Sequence, residues 1–200
     1  MIKPLIYAAL FSALSLVAAQ GMPATPERVQ QALPKLDSFI RETLSETGVP
    51  GLAVAIVYRD EVVYLKGFGV REAGKSERVT ENTVFQLASM SKPVGSTVIA
   101  ALVDDDVVSW DDLIVDLNPE FQMSDPWVTN HVTIRDLYAH RSGLYGDAGN
   151  DLEGLGYEQD EILRRLRFLE HGGDFRASYA YSNSGMTAGG VAAAKAAGKT

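Results

Sequence analysis

Two side chains that could act together as a nucleophile and its base lie three positions apart near the middle of the chain. Ser89 and Lys92 form the only S-x-x-K tetrapeptide in the sequence, and an apolar run precedes them. Apolar residues then recur at spacings of three and four, which predicts an amphipathic helix with one stripe toward a core: Met90, Val94, Val98, Ala101 and Leu102. An amine beside a hydroxyl on one face of a helix start can make serine nucleophilic without a histidine.

The tetrapeptide by itself also fits an ordinary helix start, with Ser89 as the N-cap and Lys92 solvated in the first turn. Pro93 favours a function, because proline disfavours helical geometry in the residue before it, and yet Lys92 must be helical to face Ser89. Residues whose conformation departs from their local backbone preference are more frequent at functional sites than elsewhere. Ser91 is a poor alternative nucleophile, since it does not share a helix face with Lys92.

A second pair of polar residues lies far along the chain, just before an alanine-rich stretch that predicts a last helix over residues 185–197. Tyr181 and Asn183 form the only Y-x-N tripeptide in the sequence. By itself this tripeptide also fits a packed tyrosine followed by an asparagine that caps the helix.

Taken together, the order and surroundings of these motifs resemble the serine β-lactamase and penicillin-binding protein superfamily, in particular class C β-lactamases and the related esterases and D-amino-acid peptidases. The S-x-x-K signature belongs to that superfamily. The resemblance runs from about Leu36 to the end of the chain. It includes four stretches: residues 48–51, 85–93, 132–144 and 181–185.

The resemblance implies a fold of the α/β (α+β) class, with an antiparallel sheet flanked by helices and a helical subdomain. It also implies a mechanism in which Ser89 attacks a carbonyl and forms an acyl-enzyme, with its backbone N–H as half of an oxyanion hole. Lys92 would help to take the serine proton, and a lysine with an ordinary pKa of ~10.4 needs burial or neighbouring donors for that. Tyr181 would be its partner as general base, and Asn183 would orient Lys92 and the substrate carbonyl. No metal or cofactor is implied.

The implied substrate is a small molecule or a peptide with an ester, amide or β-lactam bond, and the sequence does not separate esterase, D-amino-acid peptidase and β-lactamase. A non-catalytic relative that binds a cell-wall peptide or a partner without turnover is the alternative, against which the four motif residues together argue. An α/β-hydrolase lacks support because no G-x-S-x-G is present. A zinc hydrolase is weaker still, since His131, His140 and His171 lie far apart with no H-E-x-x-H.

The elements that must position these residues can be read along the chain. Thr25 and the proline after it predict a helix start, and Pro34 is expected to kink or restart that helix. Residues 52–58 and 61–70 predict a hairpin around a two-residue turn. Further helices are expected from a cap at Thr133 and from the amphipathic period of residues 158–169.

One expected part of the pattern is missing from the sequence. The superfamily has a third motif, Lys-Thr-Gly or His-x-Gly, on a strand after Y-x-N, and residues 171–173 have its letters but precede Tyr181. After the hairpin we find no convincing further strand, and a two-stranded sheet is marginal alone. Residues 20–200 are therefore expected to be an incomplete domain that lacks the C-terminal strands, with poor stability and activity by itself.

The start of the chain predicts export. Lys3, the apolar residues 5–17 and the small residues 17–19 are typical of a signal peptide over residues 1–19, cut after Ala19, which favours a periplasmic or secreted enzyme. No later segment is long and apolar enough to span a membrane. The net charge of -8 argues against a nucleic-acid partner, and the lack of cysteine excludes a disulfide scaffold or a thiol nucleophile. The oligomeric state is left open.

Overall fold

The structure, a computed structural model, describes residues 24–199 of the 200-residue chain. These residues divide into two compact units, 24–85 and 86–199, which are described separately. Helices and a small antiparallel sheet make up the fold, so the predicted α/β class is confirmed. The predicted signal peptide lies outside the described residues, and within them no helix is long and apolar enough to cross a bilayer.

The first unit begins with a long helix, α1, over Pro26–Thr47. Thr25 is its N-cap as predicted, and Gly48 ends it in the left-handed conformation with φ 69°. Pro34 lies inside this helix and does not end it, so the expected restart is absent. A proline removes one helical hydrogen bond. The residues on both sides keep the helical period, and the hydrogen bonds and packing of that longer helix outweigh the loss.

The hairpin predicted from the apolar runs is present. Strand β1 covers Gly51–Tyr58 and pairs in antiparallel fashion with strand β2 over Glu61–Gly69. Arg59 and Asp60 connect them with φ 51° and 64°. Two positive φ values in a two-residue loop match the right-handed twist of the flanking strands, which explains why the connection is so short.

Helix α1 packs on strand β2 through a polar and an apolar contact. The Asp37 carboxylate accepts hydrogen bonds from the Tyr64 hydroxyl and the Lys66 ammonium. Ile40 and Phe68 are buried, each with 4% of the side chain exposed. Among the described residues the sheet has these two strands only, as expected from the sequence.

The second unit is helical. Its helices are α2 (Ser91–Asp104), α3 (Ile114–Leu117), α4 (Pro126–Thr129), α5 (Ile134–Tyr138), α6 (Asn150–Gly154), α7 (Gln159–Arg165) and α8 (Asn183–Ala196). Helix α8 lies at the centre, where Ala188, Ala192 and Ala193 are almost fully buried and face α5, α3 and α2. Small residues let neighbouring helices approach closely, and a Cβ on Gly189 would come within 3.0 Å of the Tyr138 ring. This packing fixes α2 and α8 with respect to each other.

The face of α2 that packs in this unit is not the one expected from the sequence. Val94 and Val98 are more than half exposed, and so is Met90 just before the helix. Ile99 is buried instead, and of the predicted stripe Leu102 does pack against the unit's core. The apolar residues of α2 cover more than one face, so the sequence period alone did not determine which stripe meets the core.

Candidate active site

Ser89 lies in a single 3₁₀ turn, Ala88–Met90, directly before helix α2. The side chain of Ser89 is exposed, and Lys92 follows as the second residue of the α-helix. Lys92 is therefore helical despite the proline after it, as the sequence requires for a shared face with Ser89.

The four residues singled out from the sequence lie together. Lys92 Nζ donates to Asn183 Oδ1 at 2.6 Å and lies 3.3 Å from Ser89 Oγ. Ser89 Oγ and Tyr181 Oη are 2.6 Å apart, in a hydrogen bond that either hydroxyl can donate. A serine hydroxyl within reach of an amine and a phenol is the geometry that proton removal from a nucleophile requires.

Tyr181 lies just before α8, and Ser182 rather than Asn183, in extended backbone, is the N-cap of that helix. The Ser182 hydroxyl accepts from the Gly185 amide at 3.0 Å. The suggestion that Asn183 caps the helix is therefore wrong. Because its neighbour takes the capping role, the Asn183 amide is available to hold Lys92.

The charge of Lys92 acts on the tyrosine as well as on the serine. Lys92 Nζ lies 4.5 Å from the centre of the Tyr181 ring. The interaction with Lys92 first, and the hydrogen bond with Ser89 second, lower the pKa of Tyr181 below its ordinary value. A lowered pKa makes the deprotonated phenol easier to reach near neutral pH, which suits a group that accepts a proton.

A chain of side-chain amides fixes the orientation of Asn183. Its Nδ2 donates to Asn150 Oδ1 at 3.2 Å, and Asn150 Nδ2 donates to Asp147 Oδ1 at 3.1 Å. Since the amide nitrogen of Asn183 is engaged with Asn150, its oxygen must face Lys92. Asn150 lies at the start of α6, and no motif in the sequence pointed to it.

His140 is the second contributor that the motifs did not assign. It is 8% exposed, has φ 56°, and its ring lies 4.8 Å from the ring of Tyr181 at a tilt of 32°. Burial first, and the nearby Lys92 charge second, lower the pKa of His140. The sequence resemblance includes residues 132–144 but implies no role for His140. Its buried position beside Tyr181 is visible only in the structure.

The other histidines do not join the site. His131 is exposed and stacks on Trp127 with ring centres 4.0 Å apart. His171 lies in the loop after α7, where its Nδ1 approaches Gly143. Within residues 24–199 no cluster of His, Cys, Asp and Glu side chains could hold a metal ion.

A cavity of about 230 Å³ opens beside Asn183. It is lined by Gly149, Glu153, Tyr157, Gln159, Ile162, Leu163, Asn183, Ser184 and Thr187. A larger cavity of about 500 Å³ lies between the start of α7 and the end of α8 and is lined by none of the four motif residues. Of these two cavities, the smaller one has a motif residue, Asn183, in its lining.

An ion pair between the buried Asp136 and the half-exposed Arg176 anchors the loop that leads into Tyr181. Arg176 donates to both oxygens of Asp136 at 2.8–3.1 Å, and Asp136 also accepts from Thr133 in a capping box at the start of α5. Burial by itself would raise the pKa of Asp136, but the hydrogen bonds from Arg176 and Thr133 outweigh it and lower that pKa. The charged form is thus the stabilising one.

We expect Asp136→Asn to lower the free energy of unfolding by about 2 kcal/mol, because Arg176 loses its partner while half exposed to water. Urea denaturation at pH 7 measures it. The pKa in the folded state is lowered, so the contribution is present above the unfolded pKa of ~3.9 and fades as the pH falls through that value toward the lowered one. The difference in free energy of unfolding between the wild type and Asp136→Asn should therefore shrink as the pH is lowered.

Asp111→Asn is the matched control, because its ion pair with Arg135 has both side chains more than half exposed. We expect that variant to unfold at the wild-type urea concentration. Equal destabilisation by Asp136→Asn and Asp111→Asn would show that burial of the Asp136 carboxylate does not add to the stability that the ion pair provides.

Ala88, directly before the serine, has φ 45°. An L-residue in this left-handed region costs about 1–2 kcal/mol, which glycine avoids at an entropic cost of about 0.5–1 kcal/mol. Ala88→Gly is therefore expected to raise the free energy of unfolding by up to about 1 kcal/mol in urea denaturation. Ala100→Gly, inside α2, should have the opposite sign; a loss of stability in both variants would contradict backbone strain at Ala88.

Comparisons with known proteins identify a family and individual relatives that this chain resembles. Residues 36–200 match the family described as Beta-lactamase. An unguisins hydrolase of Aspergillus campestris is 30% identical over 152 residues, which cover 72% of this chain and 28% of that protein. Penicillin-binding protein 4 of Amycolatopsis lactamdurans is 36% identical over 103 residues, which cover 52% of this chain and 27% of that protein.

Solved structures show the same fold. The octameric penicillin-binding protein homologue from Pyrococcus abyssi superposes with a TM-score of 0.71 at 26% identity, over 84% of this chain and 40% of that one. A class C beta-lactamase superposes with a TM-score of 0.72 at 23% identity, over 86% of this chain and 46% of that one. The chain spans less than half the length of each of these four proteins.

Proposed function

Because this chain belongs to the beta-lactamase family, we propose that it is a serine hydrolase that forms an acyl-enzyme on Ser89. The observation that carries the proposal is the position of Ser89 Oγ, 2.6 Å from Tyr181 Oη and 3.3 Å from Lys92 Nζ. Similarity to an unguisins hydrolase and to a penicillin-binding protein supports hydrolysis of an ester, amide or β-lactam bond in a small molecule or peptide.

In the first half of the proposed reaction, Ser89 Oγ bonds to the substrate carbonyl carbon while its proton passes to Tyr181, whose deprotonated form Lys92 stabilises. The negative carbonyl oxygen is held by the backbone N–H of Ser89. The bond from the carbonyl carbon to the leaving group then breaks, and Tyr181 returns the proton to that group.

In the second half, water attacks the acyl carbon under the same base, the bond to Ser89 Oγ breaks, and the serine recovers its proton. Asn183 keeps Lys92 in place throughout, because its amide oxygen accepts from Nζ at 2.6 Å. The proposed reaction uses only these side chains, the substrate and water.

The test is an intact mass of the full chain after incubation with a fluorophosphonate, followed by peptide fragmentation to locate the adduct. Attack by Ser89 would form an oxygen–phosphorus bond and release fluoride. We expect a single adduct, on Ser89. Its absence, or an adduct on another residue, would overturn the proposal for this chain.

We also propose that the protein is exported and cut after Ala19, on the strength of Lys3 and the apolar residues 5–17. A periplasmic or secreted location suits a hydrolase of small molecules or peptides. Intact mass of the protein recovered outside the cytoplasm of a bacterial host should correspond to a chain that begins at Gln20. A full-length mass with the protein retained in the cytoplasm would contradict export.

A further inference from the structure

We infer that His140 is a positioning residue that clamps the backbone on both sides of Tyr181 and so holds the phenol against Ser89. The inference rests on the proposed function, because it gives Tyr181 a reason to be held. His140 makes three contacts with residues 180–182, the segment centred on Tyr181.

The first two contacts are hydrogen bonds that bracket the tyrosine. The backbone oxygen of His140 accepts from the Ala180 amide at 2.8 Å. Its Nδ1 accepts from the Ser182 amide at 3.1 Å. The Ser182 amide lies in the peptide plane directly after Tyr181, and the Ala180 amide lies in the plane between Tyr179 and Ala180. Because both are bound to one residue, the backbone is held on either side of Tyr181, and this restricts the direction of the tyrosine side chain.

The third contact is with the ring itself. The His140 and Tyr181 ring centres are 4.8 Å apart, and the Tyr179 ring makes a T-shaped contact with the imidazole, with ring centres 5.5 Å apart. On the side away from His140, the Tyr181 carbonyl accepts from the Asp147 amide at 2.8 Å. Backbone and ring are thus both held, which leaves Tyr181 Oη 2.6 Å from Ser89 Oγ.

The clamp also determines the chemical state of the histidine. A backbone amide can only donate, so Nδ1 of His140 must be unprotonated, and the proton of the neutral ring lies on Nε2. Because its Nδ1 is already engaged with Ser182, this nitrogen is not free to take the proton of Ser89. His140 therefore acts through Tyr181 and is not itself the base.

The backbone of His140 explains why few residues could replace it. Its φ of 56° lies in the left-handed region, which asparagine tolerates better than most L-residues. The Oδ1 of an asparagine is also separated from Cα by the same number of bonds as Nδ1 of histidine. His140→Asn should therefore keep both the backbone and the acceptor, whereas His140→Gln carries the same amide one bond further out and should miss the Ser182 amide.

The experiment compares these two variants with the wild type by the rate of fluorophosphonate acylation. A misplacement of about 1 Å can cost about 10²-fold in rate, and we expect a loss of that order in His140→Gln and a loss below about tenfold in His140→Asn. Thermal melts show whether each variant is folded at the assay temperature. Equal rates in the two variants would overturn the clamp, since the position of the acceptor would then be irrelevant.

Amide hydrogen exchange measured by NMR gives a second readout that does not depend on catalysis. We expect the Ser182 amide to be protected in the wild type and in His140→Asn, and to exchange faster in His140→Gln. The Ala180 amide should stay protected in all three proteins, because its acceptor is a backbone carbonyl. Loss of both protections together would indicate local unfolding and contradict a side-chain clamp.

The two readouts separate the two hypotheses. If the wild type forms no adduct but the exchange pattern holds, the proposed function fails and the clamp stands as a structural device. If the wild type is labelled and the Ser182 amide exchanges equally in both variants, the clamp fails and the proposed function stands.

Discussion

Ser89→Ala is expected to lower the rate of acylation by a fluorophosphonate by at least about 10⁴-fold, to below detection. The substitution removes the one oxygen that Tyr181 and Lys92 both approach, at 2.6 and 3.3 Å. Lys92 is held by Asn183, so its ammonium is expected to stay in place when the serine oxygen is removed. The measurement is a time course of intact mass at neutral pH with reagent in excess.

Ser91→Ala is the matched control for this prediction. Ser91 lies two residues further on as the first residue of α2, and its side chain is exposed. We expect this variant to react at the wild-type rate. Labelling of Ser89→Ala at the wild-type rate, or loss of labelling in Ser91→Ala alone, would assign the nucleophile to a different serine.

Lys92→Met is expected to reduce the acylation rate by about 10³-fold, within the range that general acid–base groups contribute. Methionine has nearly the length of lysine, but it has no charge and no donor. The variant therefore loses the hydrogen bond to Asn183, the contact with Ser89 and the charge that lowers the pKa of Tyr181. The same time course of intact mass measures the rate.

Two further variants show what Lys92 contributes. Lys92→Arg keeps the positive charge but replaces the compact ammonium with a planar guanidinium, which cannot reproduce the contacts with both Asn183 and Ser89, and we expect it to be nearly as slow as Lys92→Met. Lys195→Met, on α8, removes a lysine that binds Asn118 away from the site and should react like the wild type. A fast Lys92→Arg variant would show that a positive charge beside Tyr181 suffices and that the position of the ammonium does not matter.

The family and the four motif residues could be recognised from the sequence because the necessary signals are local in the chain. S-x-x-K and Y-x-N each lie within a few consecutive residues, and the family match over residues 36–200 confirms the resemblance they indicated from about Leu36 onward. The hairpin and the cap of α5 at Thr133 also follow from short stretches, since turn and capping preferences act over three or four residues.

The contributions of His140 and Asn150 could not be predicted from short stretches. His140 meets Tyr181 across 41 positions of sequence, and the Asn150 side chain reaches Asn183 across 33. A positive φ at a non-glycine residue such as His140 has no reliable sequence signal either. The capping residue of α8 was misassigned for a related reason, since Ser182 and Asn183 have nearly equal capping preference.

The sequence by itself determined which candidate groups this protein carries: a serine with a lysine one helical turn away, a tyrosine and an asparagine at a second helix start, and no cysteine to offer a different nucleophile. The tertiary structure decided how these groups meet. The small residues of α8 let it pack closely against α5 and α2, and that contact brings Tyr181 to Ser89 across 92 positions of the chain. Residue types and local spacing are encoded along the chain, whereas a distance of 2.6 Å between remote side chains depends on packing of the whole unit.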